Sequence, residues 1–216
     1  MDWKDKITEE KSLFAVYRKA RSIALGRINK QIATAAFVAA AFLFGINIYV
    51  NMAIAPYAAL ITTIREIGDA GFSFSTGILG FLIAGFSIFA SITKPEVFIL
   101  LAKLPHKEGE ITRLQFIFFN FLVVFVHYIF FLAACFFIKL GLYDNGPLSG
   151  ILRILAEQDK RIIVFGSSAT LCVLITWLTF LLMLLKSFIW NIYQSVLLSI
   201  VTEGQRREDE EQQGND

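Results

Sequence analysis

Residues 72–93, FSFSTGILGFLIAGFSIFASIT, form an uncharged run of 22 residues. A helix of that length crosses the hydrocarbon core of a bilayer, about 30 Å thick. In such a core each backbone amide and carbonyl must find its partner within the protein, so an uncharged run of this length is constrained to be a helix. The small residues in it are ordered. Gly77, Gly80, Ala84, Ser87 and Ser91 step by 3, 4, 3 and 4, which places them on one helix face. Ile78, Phe81, Leu82, Phe86 and Phe89 fall on the other side. A small face lets a second helix approach closely, and close packing is what draws helices together in lipid. The expectation is a helix-packing or oligomer contact; a pore-lining or hinge face is the other reading.

Three further apolar runs, at 32–50, 114–138 and 162–185, bring the predicted spans to four. Apolar residues make up 56% of the chain and mean hydropathy is +0.62, which leaves too little polar surface for a dissolved globule. The predicted fold is therefore an all-α, integral membrane four-helix bundle with interfacial amphipathic helices. It divides into a basic amphipathic lead at 1–30, a transmembrane domain at 31–202 and a polar acidic tail at 203–216.

The connecting segments refine this scheme. In the lead, Leu13, Phe14, Tyr17, Ala20 and Ala24 share one side of a helix, with Arg18, Arg21 and Arg27 mostly opposite. Thr8 is placed to open that helix. Basic amphipathic helices beside a span lie along an anionic lipid surface or meet a partner protein. The apolar stretch at 51–71 is expected to end in a break at Gly68 and Gly71. Residues 95–105, bounded by Pro95 and Pro105, predict a short amphipathic helix. Pro147 suits the first position of another, with Leu148, Ile151, Leu152 and Leu155 at helical spacing. The tail EGQRREDEEQQGND lacks apolar residues and is expected to be mobile.

Lys and Arg are unevenly distributed. Eight fall in the lead, four in 94–113 (Lys94, Lys103, Lys107 and Arg113) and three at the end of the fourth span and in the tail. The two remaining loops hold one and four. The positive-inside rule then places both termini and the middle loop in the cytoplasm; the chain is expected in a cell inner (plasma) membrane. Arg18, Arg21, Arg27, Lys94, Lys103, Lys107 and Arg113 become the candidate surface for a cytoplasmic partner or for lipid headgroups.

Chemistry-bearing patterns are absent. The sequence has no GxSxG, HExxH, Walker or GxGxxG motif, and its acids lie in loops and tails rather than converging on a pocket. No enzyme, cofactor or metal site is expected. Cys135 and Cys172 lie in apolar runs and are read as small apolar residues. Within the third span, Asn120 and His127 are seven residues apart on one face. Polar groups at membrane depth are costly and are functional candidates. Asn120 is read as interhelical glue. His127 is either a neutral histidine satisfied by a neighbouring helix or a proton-sensing or gating group.

The lead MDWKDKITEEKSLFAVYRKARS, four spans in about 200 residues, the segment GILGFLIAGFSIFASITKPE and the polar tail together resemble small membrane proteins of bacterial antiphage defence operons. The membrane component of the Kiwa system is the family they resemble most. That resemblance implies an oligomeric membrane sensor that holds and regulates a cytoplasmic DNA-binding partner during infection. It carries no site residues over. From the residues themselves come two expectations. One is a homo-oligomeric sensor or scaffold that relays a membrane event to a soluble cytoplasmic protein, with no direct contact to nucleic acid. The other is an oligomeric ion channel or membrane-permeabilising effector lined by Ser87, Ser91, Asn120 or His127.

Overall fold

The computed structural model describes residues 12–24, 26–51, 57–106, 111–143 and 146–213. They form seven helices: α1 (Leu13–Ala24), α2 (Arg27–Asn51), α3 (Tyr57–Ile92), α4 (Pro95–Lys103), α5 (Arg113–Gly141), α6 (Pro147–Gln158) and α7 (Lys160–Gln213). The only strand-like pairing among the described residues is an isolated bridge between Pro105 and Thr112. Four helices, α2, α3, α5 and α7, are long and apolar enough to cross a membrane. The all-helical, four-span expectation is met at that level.

Local sequence explains where the short helices start. Pro95 opens α4 behind an extended Lys94, and Pro147 opens α6 behind an extended Gly146. In both, proline's fixed φ suits the first turn and its missing N–H leaves nothing unsatisfied there. Ser12 caps α1 by accepting a hydrogen bond from the Ala15 amide at 3.2 Å. The opening residue expected from sequence, Thr8, lies outside the described residues. Asp159 breaks the chain between α6 and α7 and restarts it, its carboxylate accepting from the Arg161 amide at 2.9 Å.

Two boundaries differ from the sequence expectation. First, α3 has 36 residues and runs through Gly68 and Gly71 without a break. Glycine costs a helix only about 1 kcal/mol, and here both glycines are buried contact points. Second, α7 has 54 residues and continues through the polar tail to Gln213. A helix already nucleated propagates cheaply through Glu, Gln and Arg. Arg207 and Glu203 also pair one turn apart at 3.2 Å.

The chain resolves into two compact units, and α3, α5 and α7 each contribute a segment to both. The first comprises Met1–Gly26, Leu82–Phe125 and Leu184–Asp216; the second comprises Arg27–Phe81 and Val126–Met183. In the second unit α3 and α5 approach closely. A Cβ at Gly68 would stand 2.9 Å from Ile138 Cγ2, and one at Gly71 would stand 2.8 Å from Cys135 Sγ and 3.1 Å from Phe131 Cε1. Ser75 lies one turn further along the same face and is fully buried. Phe131 meets Trp177 of α7 edge to face, with centroids 5.5 Å apart. Lys139 pairs with Asp69 at 2.9 Å, both side chains about half exposed, a geometry worth about 1 kcal/mol at most.

In the first unit Phe121 is the centre of an aromatic cluster. It stacks on Phe86 of α3 at 4.4 Å and lies 5.9 Å from Phe188 of α7. Helix α1 docks on α5 through Val16, Tyr17 and Ala20, against Ile111, Phe119 and Val123. Phe14, which shares the apolar side of the helix with Tyr17 and Ala20, is 72% exposed. Helix α4 packs Val97, Phe98, Leu101 and Ala102 against Leu114 and Ile117.

Candidate functional site

The richest polar arrangement among the described residues is in the first unit, where α5 begins. Backbone bonds from His106 N to Ile111 O and from Arg113 N to Leu104 O, both 2.9 Å, close the connection from α4 into a short hairpin. A reciprocal capping box follows. The Thr112 amide donates to Gln115 Oε1 at 3.0 Å, and the Gln115 amide donates to Thr112 Oγ1 at 3.2 Å. This fixes Arg113 at the first residue of α5. The His106 ring lies flat on Phe116, centroids 4.0 Å apart and planes 14° apart.

Two turns into α5, Asn120 is buried and doubly tied. Its Nδ2 donates to Phe116 O at 2.8 Å, and its Oδ1 accepts from Asn191 Nδ2 of α7 at 3.1 Å. The second of these bonds runs between α5 and α7. Asn191 holds Ser195, whose hydroxyl donates to the Asn191 carbonyl at 2.8 Å. Between hairpin, α5 and α7 lies a cavity of about 500 Å³ bordered by His106, Arg113, Phe116, Trp190, Asn191 and Gln194, with Ser195.

His127 belongs to the second unit, half-buried and edge-to-face with Phe180 of α7 at 5.5 Å. The residues of the small face, Gly77, Gly80, Ala84, Ser87 and Ser91, are all exposed within the chain. A Cβ at Gly77 or Gly80 would meet nothing within 4 Å. The chain packs α3 through another small row, Gly68, Gly71 and Ser75, and leaves the more regular one uncovered. The Ser87 hydroxyl is turned back on its own helix, donating to Ile83 O at 2.8 Å. On the large side, Phe86 packs on Phe121 and Phe89 on Phe98, while Phe81 is exposed.

The basic residues divide. Arg18 and Arg21 are exposed on α1, Lys94 and Lys103 are exposed at the two ends of α4, and Arg27 is exposed at the start of α2 in the second unit. Arg113 is partly buried and borders the cavity. Lys107 lies outside the described residues. Cys135 and Cys172 are buried free thiols. Among the described residues no three His, Cys, Asp or Glu side chains converge to hold a metal ion.

Asn191 and the cavity were missed by sequence reasoning, although Asn191 interrupts the apolar run SFIWNIYQ as Asn120 interrupts its own. Two asparagines embedded in long apolar helices each require a partner, and that requirement was the available signal. No family model matches the chain, and neither a curated protein nor a solved structure shows significant similarity to it.

Proposed function

We propose that this chain is a homo-oligomeric, non-enzymatic scaffold or sensor of a cell inner membrane that relays a membrane event to a soluble cytoplasmic protein. One observation carries this reading. Helix α1, helix α4, the hairpin before α5 and the C-terminal part of α7 are far apart in sequence yet belong to a single compact unit. These are the segments that the Lys/Arg distribution assigns to the cytoplasm, with both termini inside. That unit carries Arg18, Arg21, Lys94 and Lys103 exposed and available to a charged partner. The resemblance to antiphage membrane proteins suggests infection as the event.

The uncovered face Gly77–Ser91 supports self-association as the way copies assemble, since α3 leaves it free for another helix. The channel reading draws less support. Ser87 donates to the Ile83 carbonyl of its own helix and His127 lies against Phe180.

The test is capture from the native host in mild detergent, combined with crosslinked mass. A soluble protein should co-purify, and deleting 203–216 or the 94–113 loop should release it. Gly80→Leu and Ala84→Phe should each lower the oligomer mass. The reading fails if nothing soluble co-purifies and both deletions leave the cellular phenotype intact. Unchanged oligomer size in both bulky variants removes the assembly role of α3.

A further inference from the structure

We infer that the cavity at the start of α5 binds a phosphate-type oxyanion. The inference needs no protein partner and stands on the cavity alone.

Arg113 is the first consideration. Its guanidinium is partly withdrawn from water at the border of a cavity of about 500 Å³, and it makes no ion pair among the described residues. A guanidinium presents five N–H donors in a planar fork, and taking it partly out of water is costly unless an anion answers it. Phosphate oxygens match that fork in a bidentate manner.

The remaining border has the same polarity. Among the described residues no carboxylate lines the cavity. Gln194 offers two amide N–H groups. Asn191 has a second N–H, its first being committed to Asn120. His106 borders the cavity with its ring. These groups are held in place beforehand. Asn191 is pinned by Asn120, and His106 is pinned by its stack on Phe116 and its backbone bond to Ile111. Donors fixed in advance lose little freedom on binding.

The helix end adds to the field. Arg113 is the first residue of α5, so the positive end of a 29-residue helix faces the same region. The capping box and the hairpin already satisfy the Arg113 and Gln115 amides, so side chains rather than backbone would grip the ligand. Phe116 and Trp190 supply an apolar wall beside the donors. That wall suits a ligand with an apolar or planar part next to its oxyanion. A phospholipid headgroup and a soluble phosphate compound share this chemistry. Cationic pockets between membrane helices are known to take anionic headgroups.

Trp190 lines the cavity and provides the readout. With Trp3→Phe and Trp177→Phe in the full-length chain, Trp190 is the one remaining tryptophan. One arm titrates inorganic phosphate against chloride at constant ionic strength in a neutral detergent. The other places the protein in phosphatidylcholine discs with rising phosphatidylglycerol. A saturable change in Trp190 emission is expected in one arm, and the arm that responds identifies the source. Arg113→Gln should weaken half-saturation by about tenfold or more, the loss of one charge-assisted bond. Lys160→Gln, exposed and outside the cavity, should leave it unchanged. If Arg113→Gln loses helix content, Gln194→Leu takes its place, since that side chain is exposed and its loss should also weaken binding. The proposal is overturned by the absence of saturation in both arms, by a folded Arg113→Gln or Gln194→Leu that binds like the parent, or by an equal loss in Lys160→Gln.

Discussion

Replacing Gly71 with alanine tests how closely α3 and α5 approach. A methyl there would lie 2.8 Å from Cys135 Sγ, 3.1 Å from Phe131 Cε1 and 3.3 Å from Phe131 Cζ. Both neighbours are fully buried, and Phe131 is held in turn by Trp177. Neither has open space to move into, so the added carbon should cost about 1–3 kcal/mol as overpacking. Alanine also raises helix propensity by about 1 kcal/mol over glycine, so the raw loss understates the contact. Gly85, on the same helix with nothing within 4 Å of its Cβ position, provides the reference. Gly85→Ala should register the propensity gain alone. The difference between the two variants then isolates the clash.

The assay is reversible unfolding in mixed micelles by SDS titration, followed by circular dichroism. Gly71→Ala should be less stable than Gly85→Ala by about 1–3 kcal/mol. Adding Cys135→Ala to Gly71→Ala should recover part of the loss, because it removes the nearest atom, while Phe131 keeps the remainder. Such neighbours are expected to be non-additive by about 0.5 kcal/mol or more. Equal stabilities for the two glycine variants, or strict additivity with Cys135→Ala, would refute the close approach.

The bond between Asn120 and Asn191 predicts a coupling energy of about 0.6 kcal/mol, and not above about 2, in a double-mutant cycle with Asn120→Leu and Asn191→Leu; a coupling of zero would deny the bond. Thr112→Ala removes the hydroxyl that accepts from Gln115 N and should destabilise by about 1 kcal/mol, read in the same SDS titration. Thr112→Ser should retain most of that stability, and equal losses for both would show that the cap is not the cause.

Much of the architecture could be read directly from the chain. The α4 and α6 helices announce themselves through Pro95 and Pro147 with apolar residues at helical spacing behind them. The four spans follow from apolar runs matched to bilayer thickness. The cavity at the start of α5 could not be read this way. It needs His106 from the hairpin, Arg113 and Phe116 from α5, and Trp190 and Asn191 from α7. The bond that positions Asn191 joins residues 71 apart. No local pattern encodes that distance.

The two small rows of α3 mark where sequence stops and tertiary structure begins. Hydropathy and charge by themselves determined that 72–93 is membrane helix, because burying backbone in lipid depends only on the segment's own residues. They also determined that Gly77, Gly80, Ala84, Ser87 and Ser91 share a face. Which face the chain uses internally was decided elsewhere, by Phe131, Cys135 and Ile138 on α5, which fit against Gly68 and Gly71. A periodic stripe shows that a helix can approach closely. Only the shape of the neighbouring helix decides where it does, because close packing is a property of two surfaces.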